Sequence, residues 1–161
     1  MTDKPDLTAP ALDPKTVEAL TGTNYPEAFS DNVREREKRA VGDALGLSKI
    51  GVNLTRIPPG VMSAQRHWHT HEDEFVIVLE GELTLVTDGG EQVLGPGMMA
   101  GFPAGSEDGH HLINRTGKDA LYLEVGNRDK ANDEVDYSDI DLIRRKKDGK
   151  RVFFHKDGTD Y

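Results

Sequence analysis

Five of the six histidines of this chain fall into two groups, His67, His69 and His71 in one and His110 and His111 in the other. His67 and His69 are two residues apart, a spacing that puts both imidazoles on one face of an extended strand, where they can share one ion. A carboxylate returns at Glu74, after an intervening bend, and a second strand has to supply the rest of any ligand set. Imidazole with carboxylate suits iron, manganese, nickel or zinc. There is no cysteine, so a thiolate site and a disulfide framework are both excluded. The competing account is a set of surface histidines in an acidic loop, since Glu72, Asp73 and Glu74 follow directly.

The elements around these residues read as short β segments. From Gly51 onward, alternating stretches are separated by Gly and Pro, the pattern of a sandwich or barrel. Val52 to Ile57 is one strand. Glu74 to Glu80 and Glu82 to Thr87 read as a pair hinged at Gly81. In Leu121 to Val125, as in Leu83 to Val86, side chains alternate with the period of two that puts one set inside. Further strands are expected near Gln92 to Leu94, Met98 to Phe102 and His110 to Asn114. A closed or double-sheet arrangement would leave few exposed edges.

The two ends differ from this core. Residues 1–48 read as an arm in which Asp13-Pro14 caps a short helix through Leu20, ended by Gly22, with a second short helix expected within Ser30 to Leu45. The arm is a candidate dimer-forming surface. Residues 129–161 read as an extension whose Asp148-Gly149 joins Ile140 to Lys147 and Lys150 to His155 in a hairpin. The basic residues of that hairpin, Arg144 to Lys147, Lys150 and Arg151, are expected to be solvated edge charges.

Composition narrows the class. The chain has 161 residues, enough for one core, with 25 Gly and Pro, 35% hydrophobic and 30% charged residues, as expected of a turn-rich domain rather than a helical or disordered one. A net charge of -9 opposes nucleic-acid and anionic-membrane partners. No apolar run approaches a membrane span and the start lacks an export pattern, so a cytoplasmic location is expected.

Taken in full, Gly60, His67-Trp68-His69, Glu74 and Gly81, followed by Gly97, Pro103-Ala104-Gly105, His110 and Asn114, resemble the two motifs of the cupin superfamily. The resemblance runs from about Ile50 to Val125, with one extra residue between Gly60 and His67 and two between Gly105 and His110. It implies an all-β jelly-roll barrel, a double-stranded β-helix with its core at residues 49–128. It also implies one divalent metal ion per chain on His67, His69, Glu74 and His110, with His111 as rival to His110, and a homodimer. His71 is placed at the pocket rim or behind the ligands. A metal-dependent enzyme acting on a small oxygen-rich metabolite is expected, of isomerase, decarboxylase or dioxygenase type, on a sugar, sugar acid or diketone. Arg56, Arg66, His71 and Glu124 are the candidate catalytic groups. The alternative is a non-catalytic module that senses a small molecule.

Overall fold

The computed structural model describes residues 7–161. The arm departs from the helices expected of it. Asp13 accepts a hydrogen bond from the N–H of Lys15, but the turn it caps is a single 3-10 turn, Pro14–Thr16. Leu20 is extended instead, exchanging two backbone hydrogen bonds with Lys38. Ser30 to Leu45 does hold a short helix, the four-residue α1 (Val41–Ala44), but most of the run is a 3-10 turn (Asp31–Val33) and a three-residue strand β1 (Glu37–Arg39). The charged run has too few apolar residues at helical spacing to bury a helix face. The free edge of β2 (Ile50–Ile57) offers its backbone a partner instead, pairing Glu37 with Arg56 and Arg39 with Leu54.

The remaining strands are β3 (His67–His69), β4 (Glu74–Glu80), β5 (Leu83–Thr87), β6 (Gly90–Leu94), β7 (Met99–Phe102), β8 (His111–Ile113), β9 (Ala120–Asn127), β10 (Val135–Tyr137), β11 (Ile143–Lys147) and β12 (Lys150–Phe154). One sheet has the order β1-β2-β9-β4-β7. Two smaller sheets, β12-β11-β10-β3 and β6-β5-β8, are joined by a bridge between His67 and His110. The result is an all-β barrel with antiparallel pairing throughout.

Contrary to the expectation from the sequence, β4 and β5 do not pair with each other. β4 lies between β9 and β7, whereas β5 lies between β6 and β8 in the other sheet. Gly81 is therefore the corner at which the chain changes sheets. Its φ is +73°, and a Cβ there would lie 2.7 Å from the carbonyl oxygen of Asp119, so only glycine fits without displacing backbone. The hairpin partner of β5 is β6, across Asp88-Gly89.

Ile57, Val76, Val78, Leu83, Leu85, Leu112 and Tyr122 form the barrel core. A second cluster, Val135, Tyr137 and Leu142 with Tyr25, Phe29 and Phe153, seats the arm and the C-terminal extension on the barrel. The terminal hairpin has the expected form, with positive φ at Asp148 and Gly149 between β11 and β12. Among the described residues no helix is long and apolar enough to cross a membrane.

Candidate metal centre

β3 carries His67 and His69 on one face, and both rings line a cavity of about 250 Å³ that Trp68 between them does not line. Glu74 reaches that cavity from the opposite sheet, at the head of β4. The backbone there passes close to its neighbour, because Gly126 is paired with Glu74 and a Cβ on it would lie 2.8 Å from the carbonyl oxygen of Asp73. His110 arrives just before β8, bound to the backbone of His67 in both directions. Gly109 permits this approach, since a side chain there would collide with Ser138.

The four side chains converge on one point. Nε2 of His110 lies 2.9 Å from Oε2 of Glu74, and Nε2 of His67 and of His69 each lie 3.6 Å from the same oxygen. Nδ1 of His67 is 2.8 Å from the carbonyl oxygen of Gln65, and Nδ1 of His69 is 2.8 Å from the carboxylate of Asp133. Both acceptors require a hydrogen on Nδ1, which leaves the Nε2 lone pairs of the two rings facing Glu74. The ring of Phe102 stacks on His110 at 3.4 Å between centroids and fixes its plane. Burial pushes the His67 imidazole down to about 3, favouring its neutral form. Burial acts to raise the Glu74 carboxyl, but the hydrogen bond from His110 and the surrounding imidazoles outweigh it and hold the group well below its usual range. Burial acts to lower the His69 imidazole as well, but Asp133 and Glu74 outweigh it and raise it. Three imidazoles converging on an ionised carboxylate form a donor set that fits a divalent cation, whose binding displaces any proton from the ligating nitrogens.

The structure thus brings together His67, His69, Glu74 and His110, and places His111 elsewhere, beside Arg66 and Asp139. Of the four candidate catalytic groups only Glu124 lines the cavity. Arg56 is held by Glu37 and Asp119 on the sheet surface, and Arg66 by Asp139 and Asp88. His71 bonds to the hydroxyl of Thr70 on the outside.

Glu124 projects from β9, two residues from the Gly126 that faces Glu74. It meets the ammonium of Lys38 at 3.1 Å, the amide of Asn53 at 3.0 Å and the hydroxyl of Tyr122 at 3.2 Å. Burial raises this carboxyl too, but Lys38 overrides it and keeps Glu124 below the usual carboxylate range. The Tyr122 hydroxyl is pushed far up by burial and stays protonated.

Several lining residues were not singled out in the sequence: Lys38 and Arg36 from the arm, Tyr122, Tyr137 and Arg144. Tyr122 had a signal, because it shares the inward parity of Glu124 along β9. Of the basic residues expected to be solvated edge charges, Arg151 is exposed on the edge strand β12, whereas Arg144 is not such a charge. Arg144 faces the cavity, and Arg151 reaches Glu72 at 3.0 Å and Asp133 at 3.4 Å.

A model of the cupin domain matches residues 53–126. No curated protein matches the sequence. Among solved structures, a protein of Silicibacter pomeroyi described as a sugar phosphate isomerase from a cupin superfamily is 41% identical, with a TM-score of 0.90, over 94% of this chain and 96% of its own. A protein of Acidithiobacillus ferrooxidans, provisionally assigned as a sugar phosphate isomerase, is 29% identical over 79% of this chain and 80% of its own, with a TM-score of 0.71. The polyketide cyclase of Streptomyces resistomycificus shares the fold at 21% identity and a TM-score of 0.60, over 73% of this chain and 78% of its own. By its two motifs, its barrel and its near full-length relative, the chain belongs to the cupin superfamily.

Proposed function

We propose that this protein is a metal-dependent cupin isomerase that moves a proton between adjacent carbons of a small hydroxy-carbonyl compound of the sugar class. The observation that carries the reading is the half-buried Lys38–Glu124 pair, which lies in the same cavity as the His/Glu cluster. Such a pair supplies a base and a proton donor where a substrate held at the cluster would present its carbonyl. The resemblance to two proteins described as sugar phosphate isomerases supports the substrate class.

In this reading His67, His69, Glu74 and His110 hold one divalent cation, of iron, manganese, nickel or zinc type. When bound, it supplies Lewis-acid polarisation of the substrate carbonyl and of the adjacent hydroxyl. Glu124, ionised beside Lys38, accepts the proton from the hydroxyl-bearing carbon. The C–H electron pair becomes the C=C bond of an enediol as the carbonyl oxygen takes a proton from Lys38. Lys38 then recovers a proton from the other hydroxyl, and Glu124 returns its own to the former carbonyl carbon. One C–H bond breaks and one forms, so the product is an isomer. Tyr122 and Asn53 keep the Glu124 carboxylate aimed into the cavity.

The test is exchange with solvent. Metal-loaded protein in D2O, offered a panel of aldoses, ketoses and their phosphates, is expected to place deuterium at the carbon next to the carbonyl and to interconvert the pair. Glu124→Gln should slow both on the order of 10²- to 10⁴-fold. Saturable binding with neither exchange nor interconversion across the panel would replace the enzyme with a sensing module.

A further inference from the structure

The cavity continues outward into a wider recess of about 570 Å³ formed by the arm, β11 and β12. Tyr25, Arg36, Lys38, Tyr137 and Arg144 line both spaces and form the passage between them. Two of these side chains are unusual in so acidic a chain. Among the described residues every arginine except Arg36, Arg39 and Arg144 has a carboxylate partner. Arg39 lines neither space, whereas Arg36 and Arg144 line both. Arg36 donates only to the backbone carbonyl of Ser63, and the Nε–H of Arg144 is buried with no hydrogen-bond partner. Tyr25 and Tyr137 meet edge to face at the same place, 5.6 Å between ring centroids.

Two guanidiniums brought out of bulk water without a counter-charge are unfavourable unless an anion joins them. We infer that Arg36 and Arg144, with the tyrosines beside them, form a subsite for the phosphate of a phosphomonoester whose carbonyl end reaches the His/Glu cluster. A phosphate dianion balances both cations and offers enough acceptor oxygens for two forked guanidiniums. A neutral sugar balances neither, and a single carboxylate leaves one charge over. Arg36 lies in the arm and Arg144 in the C-terminal extension, both outside the segment matched by the cupin model, so the subsite is a feature of the flanks and not of the barrel. The inference rests on the sugar-isomerase reading for the identity of the ester, but not for the presence of the anion site.

The experiment separates the two. Inorganic phosphate is titrated calorimetrically into metal-free protein at pH 7.5, comparing wild type with Arg144→Gln, Arg36→Gln and Arg145→Gln, with the folding of each variant checked by near-UV circular dichroism. Arg145 adjoins Arg144 but is paired with Asp136 and Glu134 and does not line the cavity. Arg144→Gln and Arg36→Gln are expected to weaken phosphate on the order of 10- to 100-fold, and Arg145→Gln to leave it unchanged. Equal affinity in all four proteins, or no binding to wild type, would overturn the subsite. In the second arm, Arg144→Gln should raise KM for a hexose 6-phosphate far more than for the free hexose, with kcat largely preserved. Arginine-dependent phosphate binding with identical handling of the two sugars would make the ligand a free anion and overturn the ester assignment. Arginine-dependent binding with no isomerisation of any sugar would keep the anion site and remove the isomerase reading.

Discussion

The carboxylate of Asp133 lies 2.8 Å from Nδ1 of His69, on the side of the ring away from Glu74. Its other oxygen accepts the backbone N–H groups of His71 and Glu72, and its side chain is fully buried. One aspartate therefore holds both the ring of His69 and the bend that carries the chain from β3 to Glu74. Burial raises its carboxyl, but the hydrogen bond with His69 and the backbone N–H of His71 outweigh this and keep it ionised.

Removing that charge should loosen the metal without touching a proposed ligand. Asp133→Asn is expected to lower affinity for a divalent cation about 10- to 100-fold, as replacements of groups hydrogen-bonded behind metal-bound histidines typically do. Competition with a chromophoric chelator measures it directly. Unchanged affinity would mean that Asp133 only shapes the bend.

The choice between the adjacent histidines gives a sharper contrast. His110→Asn should reduce bound metal to background in elemental analysis of untagged protein, as should the His67→Ala, His69→Ala double variant. His111→Asn should keep close to one ion per chain, because His111 does not line the cavity in which the other four side chains meet. Metal lost on changing His111 and kept on changing His110 would reverse the proposed ligand set.

These residues also mark how far the sequence could be read. His67, His69, Glu74 and His110 stood out because a period of two and a motif spacing are local properties, whereas Glu124 was one of four candidate helpers with nothing local to set it apart from Arg56, Arg66 and His71. Arg36, Lys38 and Arg144 gave no such sign. Their place in the cavity follows from the pairing of β1 with β2 and of β11 with β10, contacts between distant segments that no local period encodes. β10 itself, three residues long, is too short to show alternation. The misread β4–β5 pair has the same origin, since a glycine between two alternating runs marks a sharp turn without saying whether the chain folds back or crosses to the other sheet.

That corner can be tested by a single methyl. Gly81→Ala combines a left-handed backbone with a Cβ 2.7 Å from the carbonyl oxygen of Asp119 and 2.9 Å from Cα of Ala120, and backbone cannot rotate away as a side chain can. A loss of about 1–3 kcal/mol is expected in urea unfolding. Gly149→Ala, also at positive φ but with open space around it, should cost less. Equal losses at the two sites would assign the effect to φ alone and dismiss the steric argument at the sheet crossing.

The arm should respond to acid through Glu37 and Arg56, which face each other across β1 and β2. The hydrogen bond from Arg56 is the largest influence on the Glu37 carboxyl and holds it below its ordinary value of 4.5. A carboxyl whose folded value is depressed binds its proton less readily in the native state, so it contributes stability above about pH 4.5 and loses it as pH falls through the lower, folded value. Both side chains are about one-third exposed, so screening limits the effect to between a few tenths and about 1 kcal/mol. Glu37→Gln should therefore be less stable than wild type at pH 7 and indistinguishable from it near pH 2, with the difference at pH 7 shrinking in 1 M salt. A gap that persisted undiminished at pH 2 would mean that Glu37 acts through packing on β2 and not through its charge.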